Sequence, residues 1–168
     1  YVHRNDGLQN QYVLYQMDRP DSPVKEQRVW LDPNTLSTDG TVALKGTHFS
    51  NNGRYMAYVI SRSGSDWEEI YVKDCQTGND LQDHILWAKF TNVTWLGDGF
   101  YYSAYDAPEK GRETSAKNSV QKIYYHKIGT PQADDQLFYM NPTQPLRFYG
   151  VSVNKDETVM FLTESGMD

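Results

Sequence analysis

Cysteine is almost missing from the 168-residue sequence, and Cys75 stands alone. One thiol excludes an intrachain disulfide and any zinc site built from several cysteines, although it leaves the compartment open. Long apolar runs are missing too. None approaches the roughly 18 residues of a membrane-crossing helix, so no membrane partner is expected. Positive charge is scarce: 16 Lys and Arg against 22 Asp and Glu leave a net charge of −6. That excludes the clustered basic face of a general nucleic-acid binder. Helical periodicity is nearly absent, because no window beyond about ten residues carries an i, i+3, i+4, i+7 apolar stripe. The chemical motifs are absent as well. There is no G-x-S-x-G nucleophile elbow, no G-x-x-x-x-G-K-[ST] phosphate loop and no H-E-x-x-H pair. No metal and no cofactor are implied.

What the chain has in quantity is aromatic residues, with 13 Tyr, 6 Phe and 4 Trp. They sit in short segments rich in β-branched side chains, separated by Gly, Asn, Asp and Pro. Such segments predict strands of an all-β protein. One pattern recurs as strand, polar turn and strand: residues 48–58 around Asn51-Asn52-Gly53, residues 93–102 around Gly97-Asp98, and residues 151–161 around Lys155-Asp156-Glu157 without a glycine. The anchors Phe49, Trp95 and Val153 stand 46 and 58 residues apart. The first interval fits a four-stranded propeller blade. The second carries an insertion, placed at 107–118, which is polar and is expected to be an exposed, mobile loop.

The predicted strands are about 41–49, 54–61, 67–74 and 81–87 for one blade, and 92–96, 99–105, 120–128 and 135–140 for the next. Residues 1–32 read as the later strands of a preceding blade, and 149–165 as the first two strands of a following one. The fold class is therefore all-β, a partial propeller of two complete and two partial blades, with a β-sandwich as the alternative. The chain begins at Tyr1 rather than Met and stops inside the third repeat, so a piece of a longer protein is expected.

Single residues offer little chemistry. His3, His48, His84 and His126 read as surface or half-buried strand positions. Glu68-Glu69 and Asp134-Asp135 are adjacent in the chain, and neighbours in a strand point to opposite faces. They read as solvated carboxylates, not proton-sharing pairs. Cys75 has no histidine partner in prospect and reads as a packed or exposed thiol. Asn92-Val93-Thr94 matches a glycosylation sequon but reads as inner strand.

Four segments carry a resemblance. They are RNDGLQNQYVLY (4–15), LDPNTLS with DGTVAL (31–37 and 39–44), SGSDW (63–67) and QKIYYHKIGT (121–130). In composition and order they resemble the prolyl oligopeptidase family, and the likeness covers nearly the whole chain. The resemblance implies a seven-bladed propeller that covers an α/β-hydrolase domain of the same polypeptide. That domain carries a Ser, Asp and His triad and cuts short proline-containing peptides after proline. The chain would be early propeller blades, with no catalytic residue of its own and no activity alone. By the same resemblance Phe90, in Trp87-Ala88-Lys89-Phe90-Thr91, lines the apolar site for the residue two before the proline. Tyr149, in Leu146-Arg147-Phe148-Tyr149-Gly150, takes the position of a Met that lines the same site in familiar members, which makes it the second substrate-binding residue and the floor of that site bulkier. The compartment stays open between cytoplasm and periplasm. A non-catalytic binding propeller, or the propeller of an oligopeptidase B-like peptidase, are the alternatives.

Overall fold

The structure, a computed structural model, describes residues 1–113 and 119–166. Thirteen strands are present among them, and the only helical pieces are three single 3₁₀ turns. Strands β1 (Val2–Arg4), β2 (Val13–Gln16) and β3 (Arg28–Leu31) form a first antiparallel sheet. Strands β4 (Val42–Phe49), β5 (Tyr55–Arg62), β6 (Glu68–Asp74) and β7 (Asp80–Ala88) form a second, as a four-stranded meander. A third meander follows with β8 (Thr94–Leu96), β9 (Gly99–Ala104), β10 (Lys122–Lys127) and β11 (Gln136–Met140). Strands β12 (Phe148–Val153) and β13 (Met160–Ser165) pair as a hairpin. These are the two complete and two partial blades expected, with strand ends displaced by two residues or fewer. Of the insertion, residues 107–113 are mostly exposed, and the rest of the expected loop, 114–118, lies outside the described residues.

The turn chemistry explains the boundaries. Gly53 and Gly97 adopt φ of 69° and 60°, a region open to glycine at little cost. The third copy has no glycine, and Glu157 takes the left-handed conformation instead, at φ 55°. Its carboxylate then ties the three turns together. Glu157 Oε1 accepts from Asn51 Nδ2 at 2.6 Å, and Oε2 accepts from the Gly97 backbone N–H at 3.2 Å. The first strands of the blades are also laced to one another. Trp95 Nε1 donates to the His48 carbonyl at 2.9 Å, and Thr94 Oγ1 donates to the Val151 carbonyl at 2.6 Å.

The core lies between blades. In β5, Met56, Tyr58 and Ile60 pack with Leu14, Leu31 and Val42 against the first sheet. Ala57 and Val59, on the opposite face, pack with Ile70, Val72 and Ile85 against Trp95, Phe100 and Tyr102 of the third blade. Because side chains alternate along a strand, one strand serves two seams, and Met56 to Ser61 are all buried. A third seam holds Ile123, Tyr149 and Val151. At one point the second and third sheets touch directly, where Ala88 pairs with Ala104. Two small side chains permit that approach.

Two expectations follow. Gly99 opens β9 against the backbone of β10, and an added Cβ would collide with the His126 carbonyl oxygen and stand 2.8 Å from the Tyr125 ring carbon that bears the hydroxyl. Gly99→Ala should cost roughly 1–3 kcal/mol through overpacking, read as a lowered thermal midpoint by circular dichroism. Apolar residues are also left uncovered on β11 (Leu137 48%, Phe138 44%) and β13 (Phe161 55%, Leu162 43%). The isolated 168-residue chain should therefore associate with rising concentration. Sedimentation velocity showing a single monomer at every concentration would contradict this.

Candidate functional site

Strand β7 ends at Ala88, and the chain must cross to β8 in five residues. The turn begins within the last two residues of β7, where Trp87 is left-handed (φ 62°), and the crossing itself carries a second left-handed residue that is not glycine, Phe90 (φ 51°). Such backbone is strained and persists only where its surroundings hold it. Here the Tyr105 N–H donates to the Trp87 carbonyl at 3.1 Å. The Thr91 N–H donates to Glu68 Oε2 at 3.2 Å, and the Ser103 N–H donates to Thr91 Oγ1 at 2.8 Å. Burial pushes the Glu68 carboxyl up, opposed by its bond from Thr91. Glu68 is thus a loop anchor, half-buried, while its neighbour Glu69 is bonded by Arg62 (2.6 Å) and His84 (2.8 Å). The two carboxylates do diverge as strand neighbours should, but both are engaged.

The crossing presents Phe90. The residue is 56% exposed, and its ring meets Phe148 edge to face, with centroids 5.2 Å apart and planes at 83°. Lys89 Nζ lies 5.3 Å from the Phe90 ring and 5.4 Å from the Trp67 ring, and pairs with Asp66 at 3.3 Å. Trp67 and Trp87 stand edge to face at 5.4 Å. The result is an apolar wall with one cation beside it, on the rim between two blades. Tyr149 is one residue beyond Phe148 and so faces the other way. It is 3% exposed, packs in the third seam and meets Tyr139 at 5.0 Å. The ring that joins Phe90 is that of Phe148. Sequence reading passed over Phe148, and the signal available was the alternation of β12, once its buried phase is known.

A second cluster lies on the seam between the second and third blades. His126, expected at or near the surface, is fully buried at 0% exposure. Its Nδ1 meets Asp135 Oδ1 at 2.7 Å and its Nε2 meets Asp83 Oδ1 at 2.9 Å. Asp83 also accepts from the Gly129 N–H at 2.6 Å, and Asp135 Oδ2 accepts from the Tyr102 hydroxyl at 2.7 Å. The Asp135 side chain is 2% exposed, so it is not solvated as the sequence suggested. Burial presses the imidazole pKa down, but bonds to the two carboxylates outweigh it and carry it up to about 9. Asp83 is held below the ordinary carboxylate value, against the opposing pull of burial, by His126 and Gly129. The imidazolium is enclosed by its two partners, with no open position for a substrate. This is an electrostatic rivet between blades. Among the described residues, no group of His, Cys, Asp and Glu is placed to hold a metal ion.

Residues 1–167 match the prolyl oligopeptidase N-terminal beta-propeller domain. This chain belongs to the prolyl oligopeptidase family. The prolyl endopeptidase of Elizabethkingia meningoseptica is 39% identical over 164 residues, covering 97% of this chain and 23% of that protein. The dual function macrocyclase-peptidase POPB of Amanita bisporigera is 34% identical over 185 residues, covering 96% of this chain and 25% of that protein. Among solved structures, prolyl oligopeptidase B from Galerina marginata, bound to a 35-residue hydrolysis and macrocyclization substrate, superposes with a TM-score of 0.88 at 29% identity. It covers 97% of this chain and 25% of that one. The chain thus spans about a quarter of the length of these relatives, and the part it spans is propeller.

In this prolyl oligopeptidase segment, the His126 cluster makes a pH window. A raised imidazole pKa gives stability that is fully present below about 6.5 and lost as pH climbs through about 9. The depressed Asp83 gives stability present above about 3.8 and lost as pH falls through its lower folded value. Urea unfolding at stepped pH should show a fall on the alkaline side between those values. His126→Ala should remove that fall and cost roughly 3–5 kcal/mol, since it leaves two buried carboxylates without their cation.

Proposed function

We propose that this segment is part of the propeller cover of a serine endopeptidase that cuts short peptides after proline. The observation that carries the reading is family membership across residues 1–167, joined to a relative of 39% identity that is a prolyl endopeptidase by name. The chain spans about a quarter of its relatives; on this reading the triad belongs to an α/β-hydrolase domain of the same polypeptide, and the segment alone is inert. A closed ring of blades leaves only a narrow axial channel. An extended short peptide passes such a restriction, whereas a folded domain does not reach the serine. Opening comes from hinge or loop movement.

Within that cover, Phe90 reaches from the propeller rim toward the peptide and supplies apolar surface for the residue two before the proline. Its exposure and its strained, well-anchored backbone support this role, because strain of that kind collects at ligand sites. Phe148 extends the surface, and Tyr149 backs it from the seam behind.

The chain alone should release no chromophore from a Gly-Pro chromogenic peptide. In the full-length enzyme, Phe90→Ala should lower kcat/KM by about tenfold for a peptide with Phe two before the proline, relative to one with Gly there, the size expected for an apolar subsite. An unchanged ratio would remove Phe90 from the substrate site.

A further inference from the structure

Gln121 is fully buried at 0% exposure, and both ends of its amide are used. Its Nε2 donates to the Lys89 carbonyl at 3.0 Å, and its Oε1 accepts from the Tyr149 N–H at 2.7 Å. Lys89 immediately precedes Phe90, and Tyr149 immediately follows Phe148. One side chain on the third blade therefore ties the backbone beside one ring to the backbone beside the other, across 28 and 32 residues of sequence. Ser103, 3% exposed, adds a second tie: its Oγ donates to the Tyr149 carbonyl at 2.8 Å while its N–H holds Thr91. The residue before Gln121, Val120, is left-handed at φ 59° and donates its N–H to the Pro145 carbonyl at 2.8 Å.

We propose that Gln121 is a positioning residue that sets the separation of Phe90 and Phe148, and through it which peptide side chain the apolar wall accepts. The inference rests on the reading of Phe90 as a substrate contact. The chemistry at this position is specific. The Lys89 carbonyl only accepts and the Tyr149 N–H only donates, so the bridge needs one donor and one acceptor on a single fork. An amide supplies both. A carboxylate has no proton for Lys89 and sets a negative charge against a carbonyl oxygen. Leu fills the same volume but leaves two buried backbone groups unpaired. A protonated carboxylic acid, however, again has one donor and one acceptor.

The test uses the full-length enzyme and two peptides that differ only in Phe or Gly two residues before the proline. The readout is the ratio of their kcat/KM values, in which the pH dependence of the shared chemical step cancels. Gln121→Leu should lower the Phe/Gly ratio by about as much as Phe90→Ala, roughly tenfold. The double variant Phe90→Ala/Gln121→Leu should fall no further than Phe90→Ala. Gln121→Glu should show a low ratio near pH 8 that recovers toward the unmodified enzyme as pH is lowered and the buried carboxyl takes up its proton. If Phe90→Ala shifts the ratio while Gln121→Leu and Gln121→Glu do not, the positioning role is wrong and the Phe90 reading stands. Rates that fall equally on both peptides, with the ratio kept, also overturn it. If Phe90→Ala itself leaves the ratio unchanged, both readings fail together. Should the Leu variant not fold, the pH recovery of the Glu variant decides alone.

Discussion

Every blade in this arc must bury two faces at once, and most of the architecture follows from that constraint. A single antiparallel sheet with two apolar faces has nowhere to hide them alone. Stacking blades side by side solves this, because each face becomes half of a seam. Strand β5 shows the consequence in six consecutive buried residues, Met56 to Ser61, divided between two seams. Each large apolar side chain placed there contributes roughly 1.5–3 kcal/mol. The seam is also where any polar group must find its partner inside the protein.

Where polar groups on the seams find partners, they choose register. His126 bridges carboxylates from two blades, Glu157 joins three turns, and Gln121 joins the Lys89 loop to strand β12. Apolar packing alone tolerates small sliding between sheets. Paired hydrogen bonds at 2.6–3.2 Å do not. The same fixity is useful on the rim, where a strained Phe90 is held exposed. A rigid scaffold that over-determines one exposed aromatic is a physical route to a substrate contact that is not rebuilt at every turnover.

Strands and blades were legible because turn residues mark their ends: Gly53 and Gly97 sit where the hairpins reverse. The third repeat could be read without its glycine because the apolar anchors on either side remained. His126 was misread, since nothing local distinguishes a strand histidine facing solvent from one facing Asp83, 43 residues away. Asp135 was misread for the same reason, its partners being set by the packing of one sheet on another. The proposed rim site is half legible. Family likeness points to Phe90. It does not point to Phe148, because knowing which of two adjacent aromatics faces the rim needs the phase of β12, and that phase is fixed by the seam with Ile123.

Under the proposed function, this segment is a size filter over a proline-directed serine peptidase, with selectivity on the rim and exclusion by the ring. The most direct test offers the full-length enzyme one proline-containing sequence in two forms, as a free short peptide and displayed within a tightly folded domain. Cleavage products are then read by mass spectrometry. The account predicts cleavage after proline in the free peptide and an intact folded substrate. Equal cleavage of both forms, or none of either, would contradict it.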